Sequence, residues 1–197
     1  MYEPQRDDEA TSLANYVDQQ LSAIRASVHG LTEQQAGQTP CRSTLSVGGL
    51  IKHVTQGMEG AIRNLTEGVA TAPLTQDDFA RYQSGFVVGD DETMADVLAA
   101  FDTARPAYLA AIAGSDPGAE SVAPPAPWQG IHDARPILTR YYLLHQVEEM
   151  ARHAGHADII REQIDGMAVP ALVMTLDGVP ANPFFQPYVA APGTIGA

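Results

Sequence analysis

Cysteine is nearly absent: Cys41 is the single one. No intramolecular disulfide can form, which fits a reducing compartment. Basic residues are scarce too. The chain sets 11 Lys+Arg against 24 Asp+Glu, a formal net charge of −13, and no Lys/Arg cluster makes a local exception. That balance repels phosphate backbones and argues against nucleic acid as a partner. Long apolar runs are missing; none approaches the ~18–20 residues that span a bilayer. The opening stretch MYEPQRDDEA lacks the basic and apolar regions of a signal peptide. The expectation is a soluble, cytoplasmic protein with no membrane partner. There is also no phosphate-binding loop, no dinucleotide fingerprint and no serine elbow. Cys41 has no histidine positioned in sequence to activate it.

What remains is an ordinary globular composition. The 197 residues, 45% hydrophobic and 18% charged, suit one domain with a full core. Four segments carry helical periodicity. The first runs from about Asp8 to His29 on a stripe of Leu13, Tyr16, Val17, Leu21, Ile24 and Val28. Gly30 follows as a stop, and Thr32 with Gln35 has capping-box spacing. The second runs from about Ser46 to Thr66, with Val47, Leu50, Ile51, Val54, Met58, Ala61, Ile62 and Leu65 in a 3–4 repeat. The third runs from about Glu92 to Ala113 and contains Pro106, where a bend or break is expected. The fourth runs from Asp133, read as its N-cap, to Ile164.

The connection 69–91 is long, with one short helix expected near Asp77–Gln83. Residues 114–132 form a Pro/Gly-rich loop. No strand is expected. The reading is therefore all-α: a four-helix bundle over residues 1–166 with long crossover connections. Residues 167–197 form a Pro-rich C-terminal tail, mostly irregular apart from a short helix near Ala171–Leu176.

The chemistry concentrates on the fourth helix, in YYLLHQVEEMARHAGHADIIREQIDG. At ~100° per residue, Tyr142, His145, Glu149, Arg152, His153 and His156 fall in a wedge of roughly 100°. Leu138 and Ile160 lie on the same wedge, one at each end, so a stripe apolar at both ends turns ionisable in its middle. A buried carboxylate is costly unless paired or bound to metal. Glu149 and His153, at i and i+4, stack about 6 Å apart along the axis and can grip one ion together. The second helix offers His53, at the edge of its apolar stripe and flanked by Gly49, Gly57 and Gly60. Glycines within a helix cost ~1 kcal/mol each relative to alanine. Open space beside the imidazole would be a compensation. His145 and His156 share the wedge and remain alternative ligands on these grounds.

Two segments carry a resemblance. LSVGGLIKHVTQGMEGAIRNLTEG resembles the second helix of DinB-like proteins, where a leucine/glycine run leads to a metal-binding histidine. RYYLLHQVEEMARHAGHADIIREQIDG resembles their last helix, with its ligand-x-x-x-His pattern. Many members use three histidines. Glu149 in the first position of the pair resembles the branch containing mycothiol-dependent maleylpyruvate isomerase and related thiol transferases. The resemblance covers about residues 8–166 and implies His53, Glu149 and His153 as metal ligands. It leaves His145 and His156 as neighbours of the site, while Arg152 and Tyr142 are substrate-binding candidates from their place on the wedge.

The resemblance implies a divalent metal and a low-molecular-weight thiol of the mycothiol type as cosubstrate with a small electrophile. Zinc suits two nitrogens and one carboxylate, with nickel, iron or manganese also compatible. Relatives are often dimers, so a homodimer is an expectation of the same kind. Two rival readings use the same residues: a metal-dependent hydrolase, and a non-enzymatic, metal-stabilised binding or interaction module.

Overall fold

The structure is a computed structural model that describes residues 5–70, 72 and 75–197. Residues 1–4 of the opening stretch and residues 71, 73 and 74 of the long second connection lie outside the described residues. Four long helices dominate: α1 (Glu9–Ala26), α3 (Val47–Thr66), α5 (Met94–Ala113) and α6 (Thr139–Asp165). Three short ones lie between or after them: α2 (Glu33–Ala36), α4 (Gln76–Ser84) and α7 (Val169–Leu176).

α1, α3 and α5 each start where the sequence supplies a side-chain acceptor for their free N–H groups. Asp8 accepts from the Thr11 N–H at 2.9 Å, and Ser46 from the Gly49 N–H at 3.1 Å. Thr93 and Asp96 form a capping box, as Thr32 and Gln35 do for α2; such caps satisfy N–H groups that the helix cannot. Val17, Leu21, Ile24, Leu50, Ile51, Met58, Phe101, Tyr108, Ile112 and Leu143 then meet in one fully buried core.

Ion pairs fix the helix directions. Arg140 bonds Glu9 at 3.1 Å near the start of α6 and α1, and Arg161 bonds the Ser27 carbonyl at 2.8 Å near their ends. The two helices therefore run side by side in the same direction. Arg105–Asp18 and Arg25–Asp102 set α5 against α1 in the opposite direction. Gly48 lies against Met94, while Glu59 and Ile62 share a groove with Ala99 to Ala107, so α3 and α5 run parallel. A parallel neighbour requires the chain to return along the full length of α3, and the stretch holding α4 does this.

Three features differ from the sequence reading. A two-stranded antiparallel sheet is present, β1 (Glu120–Ala123) with β2 (Arg135–Leu138). It takes residues assigned above to the fourth helix. Pro136 is the reason: it disfavours helical backbone at Arg135 and cannot donate to a helix. Asp133 is consequently not an N-cap. The N–H groups of Thr139 and Arg140 donate instead to the carbonyls of Ala119 and Pro117, at 2.9 and 3.0 Å. Thirdly, Pro106 does not break α5, which continues to Ala113. Burial of Phe101, Tyr108 and Ile112 around it offsets the ~3 kcal/mol penalty of an interior proline.

Beyond Gly166 (φ 75°) the chain folds back. α7 packs on α1 and α6, and Ile195 exchanges backbone hydrogen bonds with Gly30 and Leu31, each 2.8 Å. Tyr188 lies so close to Gly30 (φ 79°) that a Cβ there would stand 2.3 Å from its hydroxyl. Only glycine suits both the space and the backbone.

Asp158 on α6 is half-buried, and its Oδ1 finds no hydrogen-bond partner among the described residues. Burial raises its pKa above the usual carboxylate value. The carboxylate therefore weakens the fold progressively as pH rises from the unfolded to the folded value, fully so above the latter, and contributes no such penalty below the unfolded value, where it is neutral in both states. Asp158→Asn is expected to raise the Tm at pH 7, with the gain vanishing near pH 3, as followed by thermal melts across that range.

Candidate metal centre

α3 and α6 run antiparallel and bring His53 against Glu149 and His153. One donor atom from each of the three lies within 4.8 Å of the others. The local reasons are plain. On α6 the i, i+4 spacing stacks the pair on one face, with Nε2 of His153 3.1 Å from Oε1 of Glu149. The two imidazoles meet edge to face, 4.9 Å between centroids.

Electrostatics leave His53 and Glu149 in the states a cation needs. Burial, with smaller repulsion from His153, pushes His53 down to about 4, so it is neutral at pH 7 with a free lone pair. The hydrogen bond from His153 holds the Glu149 carboxyl below its ordinary value, so it is ionised. His153 is only 6% exposed, and its Nδ1 has no partner among the described residues. Two imidazole nitrogens and one carboxylate oxygen form a donor set typical of divalent zinc with a position left open. The residues fit such an ion.

The other wedge residues divide. His156 sits beside His153, ring centroids 5.6 Å apart, with a buried Nδ1 that also lacks a partner among the described residues. Burial lowers its pKa. Tyr142 lies half-buried, its hydroxyl accepting from Asn64 at 3.1 Å. His145 and Arg152 turn outward, both held by the exposed Glu148. They stand at the rim rather than with the three clustered donors.

Of the glycines beside His53, only part of the expected open space exists. A Cβ at Gly57 would meet nothing within 4 Å, but one at Gly49 would stand 2.0 Å from the Phe86 carbonyl oxygen. Sequence reasoning missed Phe86 and Tyr82, which cover His53, and the buried Tyr108, whose hydroxyl donates to Gln146 at 2.9 Å. The first two lie in or beside α4, a tertiary neighbourhood that periodicity along α3 cannot reveal.

An all-helical core presenting a His-Glu-His cluster from two facing helices is the arrangement that the sequence resemblance implied. Residues 12–166 match the family model described as mycothiol-S-transferase, a DinB-like family, and the chain belongs to that family. No curated relative and no solved structure matches the chain. No helix among the described residues is long and apolar enough to cross a membrane.

Proposed function

We propose that this protein is a four-helix bundle enzyme that transfers a low-molecular-weight thiol of the mycothiol type to a small electrophile. His53, Glu149 and His153 hold one divalent ion, zinc in the first instance. The observation that carries this reading is the convergence of three metal-competent donor atoms within 4.8 Å, in a chain of a mycothiol-S-transferase family. When bound, the ion would lower the pKa of an entering thiol so that it is present as thiolate near neutral pH.

The chain's own residues do the rest. His53 enters neutral because burial disfavours the imidazolium. Glu149 brings one negative charge and holds His153 in register through the 3.1 Å contact. Arg152 at the rim is placed to attract an acidic group on thiol or electrophile. In the transfer, the thiol proton goes to solvent and a sulfur lone pair forms the new S–C bond. The electron pair of the bond broken at that carbon departs with its leaving group. The test is consumption of a thiol with a chlorobimane as electrophile. The expected result is turnover that stops on chelation and returns with zinc. Ester or amide hydrolysis without added thiol, and no thiol transfer, would overturn the reading in favour of a hydrolase.

A further inference from the structure

Histidines that bind metal are usually oriented by a hydrogen bond from the second ring nitrogen to a carboxylate or carbonyl. His53 has no such bond: neither ring nitrogen finds a hydrogen-bond partner among the described residues, although the ring is largely enclosed. What holds it is aromatic. Phe86 stacks on the imidazole with centroids 3.9 Å apart and planes 17° from parallel. Tyr82 meets both rings edge-on, at 5.6 Å from His53 and 5.3 Å from Phe86.

The backbone carrying Phe86 is itself pinned to α3 on both sides of His53. One turn earlier, Gly49 leaves room for the Phe86 carbonyl, which a Cβ would approach to 2.0 Å. One turn later, Gly85 lies flush on Gln56, where a Cβ would stand 2.4 Å from Oε1. Lys52 donates to the Val87 carbonyl at 2.9 Å and to Glu92 at 2.5 Å. The stacking ring is thus part of a fixed strap across α3.

We infer that Phe86 is a positioning residue: its ring, seated by Gly49 and Lys52, sets the rotamer of His53 in place of a hydrogen-bonded partner, and so tunes the metal centre. This rests on the triad being the metal site. A flat stack fixes the plane of the imidazole while leaving both nitrogens free of competing bonds. Aromatic stacking of this kind is individually modest, but here it acts with the edge contacts of Tyr82 and His153 and has no hydrogen bond to compete with.

The test loads the full-length protein with Zn²⁺ or Co²⁺ and measures affinity by competition with a chromophoric chelator, together with the visible absorption of the Co²⁺ form. Phe86→Leu keeps bulk and removes the ring. It is expected to weaken both ions by about 10-fold or more, the scale of losing a ligand's outer partner, and to change the Co²⁺ spectrum. Phe86→Tyr restores both. Gly49→Ala, which leaves the ring intact but displaces its backbone, reproduces the loss, and decides the matter alone should Phe86→Leu fail to fold by circular dichroism. Wild-type affinity and an unchanged spectrum in these variants, with the ion lost in His53→Ala, would overturn the inference and leave the triad standing. Binding undiminished in His53→Ala would bring down the triad reading and the inference together.

Discussion

His153→Ala and Glu149→Ala are each expected to abolish thiol transfer, with a loss larger than the roughly 100-fold that follows from disturbing a ligand's outer partner. The two changes act differently on the resting protein. His153 is 6% exposed and packed within the core face of α6, so its truncation also opens a cavity and lowers the Tm. Glu149 is a third exposed on its side chain, so its removal leaves the fold nearly untouched while taking the one negative charge from the donor set. Single-turnover thiol conjugation, read beside thermal melts, separates the two. Equal activity of Glu149→Ala and wild type would remove the carboxylate from the mechanism.

The largest effect on stability is expected at Arg161. Its side chain is completely buried and bonds Asp165 through two nitrogens, at 3.0 and 2.8 Å. It also donates to the carbonyls of Ser27 and His29, at 2.8 and 2.6 Å. The Ser27 carbonyl belongs to the C-cap of α1, where a helix has free acceptors, and that of His29 lies in the turn just beyond it. One guanidinium therefore satisfies the end of α1, neutralises Asp165 and lies 6.0 Å from the Tyr188 ring of the tail. Arg161→Met leaves two buried carbonyls without their donor and takes the counter-charge from Asp165, which keeps the Met167 N–H at 3.0 Å. The expected cost is about 3–5 kcal/mol, a fall in Tm on the order of 10 °C for a chain of this size. Asp165→Asn, which keeps the carbonyl bonds, costs less. Urea denaturation of the two variants checks the order, and an unchanged midpoint in Arg161→Met would contradict it.

The long helices were legible because each carries its own periodic stripe, and the triad was legible for a related reason. Glu149 and His153 share a helix face by spacing alone, and His53 borders an apolar stripe that must meet another helix. What the wheel could not resolve was the rim. His145 and Arg152 fall at one edge of the wedge and His153 at the other, and only the competing carboxylate of Glu148 decides that the first two face outward. The strand at Arg135–Leu138 was hidden because its partner residues lie 12 to 18 positions away along the chain, although Pro136 already argued against helix there. The aromatic cover from Phe86 and Tyr82, and the clamp of Arg161 on α1, depend on contacts between distant segments. No local pattern records them.

Metal content measured by elemental mass spectrometry on purified protein tests the central claim most directly. About one divalent ion per chain is predicted for wild type, lost in both His53→Ala and Glu149→Ala while each variant stays folded. Wild-type protein that remains metal-free after incubation with zinc and with nickel would contradict the account.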